Sequence, residues 1–230
     1  MTPSCIRGIA AALVAAAAFG CRSASGGAAP AASPPAAGNQ DELSAIAKAR
    51  ADSAHARYSK ADAQFMTNMI AHHAQAIVMA RWAATHDASP SIRTLAGRII
   101  NAQQDEIALM RQWLRDRGLP VPETRVEGLK VLMVMDGMAH EHLMPGMLTD
   151  EQMAQLDRAR GTDFDRLFLT LMMQHHRGAV SMVKDLIASP GAAQEDAVFK
   201  IASDINVDQT TEIDRMQKML AALLFETRNP

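Results

Sequence analysis

The chain has 230 residues and a formal net charge of −2, and 48% of its residues are hydrophobic. This length predicts one domain with a hydrophobic core, and the lack of any basic run gives no support for a nucleic-acid partner. Methionine is the unusual component, with 16 residues against two tryptophans and one tyrosine. Its polarizable thioether can fill an irregular core or bind a soft metal.

Residues 1–21 are predicted to be an export signal. Arg7 gives a weakly positive start, and residues 8–19 are apolar but too short to span a membrane as a mature helix. Residues 18–21 resemble the lipobox of bacterial lipoproteins, although Ala and Phe stand where that pattern prefers Leu and a small residue. We therefore predict lipidation of Cys21, with simple cleavage to a free protein as the alternative. Either outcome predicts an exported protein of the periplasm or outer envelope, and lipidation would give it a membrane contact through the N-terminal anchor alone.

Residues 22–40 are almost wholly Ala, Gly, Ser and Pro. Such a composition cannot bury enough apolar surface to fold, so this segment is predicted to be a disordered tether. Residues 41–226 are predicted to form the helical domain. Because Cys5 and Cys21 both precede that domain, disulfides, thiolate metal sites and cysteine nucleophiles are excluded within it.

Four long helices are predicted in the helical domain, arranged as two hairpins. Ser89 is typical of a helix cap and Pro90 of a first helical residue, so this pair separates the first two long helices. Ser189-Pro190 repeats that break between the third and fourth. Each pair of helices is therefore expected to be antiparallel.

The two hairpins are joined by residues 118–148, the longest connection, which is rich in Gly, Met and His. Thr149 then begins a capping box that predicts a short helix, and Gly161 precedes the third long helix. No stretch alternates with period two for long enough to predict a strand. The predicted fold is all-α, a four-helix bundle of two hairpins with a short extra helix and a Met/His-rich crossover.

The two hairpins carry the same motif. Residues 65–73, with the sequence FMTNMIAHH, return as FLTLMMQHH at residues 168–176. About thirty residues later, Gln103-x-x-Glu106 returns as Gln209-x-x-Glu212. Two similarities in the same order indicate a duplicated helical hairpin.

The repeated histidines and glutamates are predicted to face one another inside the bundle. Steps of three and four residues trace the inward face of each helix, and they pass through His72, His175, Glu106 and Glu212. At about 1.5 Å per residue, these side chains lie at one height along the bundle. Two glutamines and four methionines lie on the same faces near this height: Gln103, Gln209, Met69, Met110, Met172 and Met216.

These buried polar groups need partners, because an unpaired polar group in a core is costly. They either form a hydrogen-bond network that fixes the register of the helices or bind a metal ion. His73 and His176 lie about 100° round each helix from the inward face, so each is a second ligand, a residue that orients a ligand or a half-exposed side chain. His55 and His86 are predicted to be surface or helix-end residues.

The crossover supplies the other predicted ligands. Methionine and histidine are clustered here, at Met138, His140, His142, Met144 and Met147. These neutral, soft ligands suit Cu(I), or Ag(I) as its mimic, better than Mg, Ca or Mn. The alternative is an apolar plug over one end of the bundle.

Three motifs carry a resemblance to a known family: Met69-x-x-His72-His73, Met144-Pro145-Gly146-Met147 and Met172-x-x-His175-His176-x-Gly178. Across residues 60–222 the chain resembles the bacterial exported domains called domain of unknown function 305. The resemblance implies a ferritin-like four-helix fold, often exported or lipid-anchored, with some members linked to copper binding and tolerance. That family has no assigned reaction.

Three functions remain open from the residues. The first is a copper-binding protein of the bacterial envelope, with Cu(I) favoured and a metal ion as its partner. The second is a metalloenzyme that uses the His and Glu layer for redox chemistry, with Zn or Fe as possible metals. The third is a metal-free envelope protein, and a homo-oligomer is compatible with all three. No catalytic triad order and no phosphate-binding glycine loop occurs, so the chain is not predicted to be a hydrolase or NTPase.

Overall fold

A computed structural model describes residues 58–226, together with Gln40, residues 42–46 and Lys48. The predicted signal segment and nearly all of the predicted tether lie outside the described residues. The same holds for His55 and for the lipidation predicted at Cys21.

Five α-helices occupy most of residues 58–226. They are α1 (Lys60–Arg81), α2 (Pro90–Asp116), α3 (Asp150–Arg158), α4 (Gly161–Ala188) and α5 (Asp196–Glu226), and a short 3-10 turn (Trp82–Ala84) follows α1.

Side-chain caps explain where three of these helices begin. The hydroxyl oxygens of Ser59, Ser89 and Thr149 accept hydrogen bonds from backbone N–H groups in the first turns of α1, α2 and α3. The caps predicted at Ser89 and Thr149 are thereby confirmed. The second interhelical break is different from the first, because Ser189 ends α4 and the next helix begins only at Asp196.

The connection between α2 and α3 contains a small antiparallel sheet, so the prediction of no strands was wrong. Its strands are β1 (Glu123–Glu127), β2 (Lys130–Met135) and β3 (Met138–His140), in the order β1-β2-β3. Asp136 and Gly137 both have positive φ in the turn between β2 and β3. This is the backbone that a two-residue hairpin turn requires, and Asp-Gly adopts it readily.

The four long helices pack as two hairpins that meet along α1 and α4. α1 packs against α2, α4 packs against α5, and the contact between α2 and α5 is much smaller. Each hairpin also binds the loop of the other: Asp62 of α1 accepts a hydrogen bond from Ala193 N at 2.8 Å, and Asp165 of α4 accepts from Ser89 N at 3.2 Å. The protein is therefore mostly helical, with one small sheet between its two hairpins.

Buried apolar side chains form two clusters, and each cluster contains residues of all four long helices. One includes Phe65, Trp113 and the crossover methionines, and the other includes Phe164 and Phe168. Within the part of the chain that the structure describes, no helix combines the length and apolarity that a bilayer span requires.

Candidate metal centre

His72 of α1 and His175 of α4 meet at the centre of the helical domain. Both side chains are fully buried, and their ring centroids are 3.9 Å apart. Each lies on the inward face that the spacing of three and four residues predicts. The contact joins the two hairpins through a pair of imidazoles rather than a pair of aliphatic side chains.

Burial keeps both imidazoles neutral at neutral pH. Loss of solvent, and then the neighbouring His73, lower the pKa of His72 to about 3. Loss of solvent, and then the neighbouring His72, lower the pKa of His175 well below its ordinary value. Neutral imidazole is the form of histidine that binds a metal ion.

One hydrogen bond fixes the tautomer of His72. Its Nε2 lies 2.9 Å from the carbonyl oxygen of Pro145, and because a carbonyl can only accept, Nε2 carries the proton. The Nδ1 lone pair of His72 is then free of any partner among the described residues. His175 has no hydrogen-bond partner at either ring nitrogen within the same part of the chain.

The second histidine of each repeat contacts a glutamate. His73 Nε2 lies 2.8 Å from Glu106 Oε2, and His176 Nε2 lies 2.6 Å from Glu212 Oε2. Both imidazoles are fully buried, so neither is the half-exposed side chain that was one of the alternatives. Histidines that bind metals commonly donate one ring N–H to a carboxylate while the other nitrogen takes the metal.

The segment Met144–Met147 packs directly on the centre. A Cβ added to Gly178 would lie 1.9 Å from Pro145 O, so the backbone of this segment touches α4 one turn from His175. Gly146 has φ of +77° at this crossing, which suits glycine. The thioether side chains of Met144 and Met147 are buried on either side of Pro145.

A buried glutamine holds the end of this segment. Gln75 Nε2 donates to Leu148 O at 2.9 Å, and Gln75 Oε1 accepts from Leu148 N at 2.7 Å. Gln75 lies one turn beyond His72 on α1, so the same helix fixes both the imidazole and the backbone that covers it. The sequence analysis missed Gln75, Pro145 and Gly178 as functional positions, and only the glycine within a helix gave a local signal.

The remaining predicted site residues fall into two groups. The buried group lies within the helices, and Gln103 and Gln209 in it are each 1% exposed. The exposed group lies on β3 and just after it, away from the core. The buried predicted ligands are Met69, Met110, Met172 and Met216, and the exposed ones are Met138, His140 and His142.

His86 is a helix-end residue, as one of the two alternatives predicted, but it is not at the surface. Only 4% of it is exposed, and its Nε2 lies 2.9 Å from Asp157 O while its Nδ1 lies 2.9 Å from Thr85 Oγ1. Because both ring nitrogens have partners, His86 joins the end of α1 to the end of α3 as a structural residue.

The donor atoms at the centre fit a soft metal better than a hard one. Among the described residues, no three His, Cys, Asp or Glu side chains converge closely enough to hold a metal ion by themselves. Four buried Nδ1 atoms, those of His72, His73, His175 and His176, have no partner in the described part of the chain, and orphaned buried groups of this kind call for an explanation.

Fold and centre define a class of mostly helical protein with paired buried histidines under a methionine-rich crossover. The sequence profile named Domain of unknown function (DUF305) matches residues 62–220, and the chain belongs to that family. A 58-residue stretch is 41% identical to the uncharacterized protein L153 of Acanthamoeba polyphaga mimivirus. That match covers 25% of this chain and only 38% of the relative.

Solved structures of the family are similar to this one. A DUF305 protein from Streptomyces coelicolor is 29% identical, with 71% of this chain and 93% of that chain covered and a TM-score of 0.58. A DUF305 fragment from Deinococcus radiodurans is 27% identical over 72% of this chain and 99% of that chain, also at 0.58. CopM in its Cu(I)-bound form is 26% identical over 72% and 98%, with a TM-score of 0.53, and CopM has also been solved with Cu(II) and with Ag.

Proposed function

We propose that this protein binds copper, preferentially Cu(I), in the bacterial envelope and so buffers or relays it. The observation that carries the proposal is the contact between two neutral, fully buried imidazoles, His72 and His175, with three unpartnered ring nitrogens between them. A metal-free core would leave each unpartnered nitrogen without the hydrogen bonds that it makes to water, which costs free energy, whereas a bound metal ion would satisfy these nitrogens.

The proposed ligands are His72 Nδ1, a ring nitrogen of His175 and the thioethers of Met144 and Met147. Pro145, between the two methionines, contacts His72 directly, so these thioethers belong to the segment that covers the centre. Neutral imidazole and thioether ligands favour Cu(I) over Mg, Ca or Mn. The likeness to CopM, solved with Cu(I), Cu(II) and Ag, supports this choice.

The glutamates are proposed to orient ligands rather than to hold the metal ion at the centre. Glu106 and Glu212 each contact the second histidine of a repeat, and a carboxylate in that position fixes the tautomer and orientation of the imidazole. His73 and His176 then present Nδ1 toward the interior as reserve ligands. We further propose that the fold is a ferritin-like four-helix bundle of two duplicated hairpins. This bundle would hold the four histidines together.

Competition with a chromophoric Cu(I) chelator under anaerobic conditions tests the proposal. We expect wild-type protein to take Cu(I) from the chelator, and we expect His72→Ala with His175→Ala to weaken binding by at least about 100-fold, since two of the few ligands are lost. Met144→Leu with Met147→Leu keeps the volume of the core and should weaken binding by a smaller factor. Unaltered binding in both double variants would refute the proposal.

The exposed histidines supply a matched control. His140→Ala with His142→Ala removes the same two side chains from β3 and the residues after it, and we expect the tight affinity to survive. If this variant alone abolished binding, the metal would belong to the crossover, with Met138 among its ligands. A protein purified from its native envelope without copper, with one melting temperature in the presence and absence of Cu(I), would favour the metal-free alternative.

Export and lipid anchoring form the remaining part of the proposal. The apolar segment 8–19 followed by Cys21 supports export, as does the similarity to a Streptomyces coelicolor protein whose name proposes that it is secreted. Labelling cells with a fatty-acid analogue tests the anchor. We expect label on the wild-type protein and none on Cys21→Ser, whereas equal labelling of both would refute lipidation at this residue.

A further inference from the structure

An acidic cleft lies on the side of the helical domain where α2 and α5 make little contact. It encloses about 330 Å³ and is lined by Ala102, Asp105, Glu106 and Leu109 of α2 and by Ile201, Asp204, Val207 and Asp208 of α5. Four carboxylates thus face one another across a gap between two helices. We define this group of eight residues as the acidic cleft.

The negative charge in the acidic cleft is only partly compensated. Asp204 pairs with Lys200 at 2.6 Å, and Glu106 contacts His73 through Oε2. Burial, and then the charges of Glu106 and Glu212, raise the pKa of Asp208, which shows that these carboxylates lie close enough to repel one another. Like charges crowded into a cleft raise the local concentration of cations.

The acidic cleft leads toward the metal centre. Glu106 lines it and is 8% exposed, and its Oε1 has no partner among the described residues. Its other oxygen lies 2.8 Å from His73 Nε2, the His73 ring centroid is 6.3 Å from that of His72, and His72 lies 3.9 Å from His175. Side chains of the kind that can bind cations therefore lie one after another between the acidic cleft and the buried imidazole pair.

We propose that the acidic cleft between α2 and α5 is the route by which a monovalent or divalent metal cation reaches His72 and His175. This inference rests on the proposed function, because it assumes that the imidazole pair binds a metal ion. Asp105 and Asp208 attract the hydrated cation at the mouth of the route. Glu106 receives it and passes it to the imidazole layer, where neutral ligands replace its remaining water.

The rate of metal association tests the route. Protein would be mixed rapidly with Ag⁺ as its nitrate in chloride-free buffer, and a metal-responsive dye would report free Ag⁺. We expect Asp105→Asn with Asp208→Asn to slow association about threefold to tenfold at low ionic strength, because electrostatic steering scales with the charge in the cleft. The difference from wild type should shrink as salt is raised to about 0.15 M or more.

Asp185→Asn with Asp214→Asn is the control, since it removes the same charge from exposed positions of α4 and α5 outside the acidic cleft. We expect this pair to change the rate much less. Equal rates for the two pairs would overturn the route while leaving the proposed function intact. A wild-type protein that binds neither Ag⁺ nor Cu(I) at equilibrium would instead overturn both.

Discussion

The two hairpins carry the same residues at the centre, but their histidines have different environments. His72 in the first hairpin donates from Nε2 to Pro145 O, whereas the equivalent His175 in the second has no hydrogen-bond partner in the described part of the chain. By contrast, His73 lies 2.8 Å from Glu106 and His176 lies 2.6 Å from Glu212, although only the second pair has the geometry of a hydrogen bond. The repeated sequence therefore brings a glutamate to the second histidine of each hairpin. The crossover makes the first histidines, His72 and His175, differ.

This difference shows how one segment can give two histidines that are equivalent in the sequence repeat different hydrogen bonds. The crossover passes over α4 at Gly178 and reaches α1 at His72 and Gln75. It thereby fixes the tautomer of His72, while the crossover makes no such hydrogen bond to His175. Substitutions and a change of pH can remove this difference, alter the charge of both imidazoles, loosen the crossover or change the contacts that the hairpins share.

Gly178→Ala should have the largest effect, because it removes the crossing itself. A Cβ at this position would lie 1.9 Å from Pro145 O and 2.6 Å from Gly146 Cα, and backbone atoms cannot move aside as a flexible side chain can. We expect the free energy of unfolding to fall by about 3 kcal/mol or more, as for severe overpacking. Denaturant unfolding would measure it.

Gly97→Ala is the matched control for that change. Gly97 is also a helical glycine, on α2, but an added Cβ would meet nothing within 4 Å. We expect it to raise the free energy of unfolding by about 0.5 to 1 kcal/mol, since alanine is the better helix former. Equal effects of the two substitutions would contradict the close approach of the Pro145 backbone to Gly178.

Lowering the pH should destabilise the metal-free protein through both central imidazoles. Their pKa values are lower in the folded state than the ordinary 6.5, so below that pH the unfolded chain binds more protons and the free energy of unfolding falls. Each such histidine contributes about 1.4 kcal/mol per pH unit, so His72 alone costs about 2 kcal/mol at pH 5. The loss continues for His72 until its folded pKa of about 3 is reached.

Unfolding curves measured from pH 7 to pH 4 check this dependence. His72→Gln with His175→Gln should reduce the pH dependence, because neither site then titrates. If the double variant lost stability with falling pH as steeply as the wild type, the two imidazoles would not be responsible.

Gln75→Leu should loosen the crossover without touching α4. It leaves Leu148 N and Leu148 O without the two hydrogen bonds that Gln75 makes, and we expect a loss of about 2 kcal/mol in the free energy of unfolding. Because the crossover also holds His72, Cu(I) affinity should fall as well. Gln104→Leu, on α2 and outside this contact, is the comparison; a similar loss there would show that the effect is not specific.

Glu106→Gln and Glu212→Gln should have the smallest and most nearly equal effects. Each keeps the shape of the side chain and removes the carboxylate that contacts a buried histidine. We expect Cu(I) affinity to fall by about tenfold in each case, as when a residue that orients a metal ligand is changed. A large effect of one substitution and none of the other would show that the two hairpins do not share this role.

The sequence predicted well those features that depend on local chemistry. The cap at Ser89 and the capping box at Thr149 need only residues within one turn. The burial of His72 and His175 followed from helical periodicity alone. Asp136-Gly137 could also have predicted the hairpin turn, but the neighbouring methionines favour helix. Burial in β2 does not alternate strictly either, because Val131 and Leu132 are both buried.

Features that depend on contacts between distant segments were not predictable. His86 is buried because Asp157, far along the chain, accepts from its ring, and nothing near His86 signals this. Helical stepping placed Glu106 opposite His72, whereas Glu106 contacts His73. His72 and His73 differ by about 100° around the axis of α1. Hydrophobic periodicity does not fix the rotation of a helix about its axis closely enough to decide which of them Glu106 contacts.

The most direct test of the central claim is ¹⁵N NMR of the histidine ring nitrogens during titration of the metal-free protein with Ag⁺. We predict large shifts for His72 Nδ1 and for a ring nitrogen of His175 up to one equivalent, with His72 Nε2 retaining its proton to Pro145 O. Shifts confined to the exposed His140 and His142, with His72 and His175 unchanged, would contradict the claim that the buried imidazole pair binds the metal.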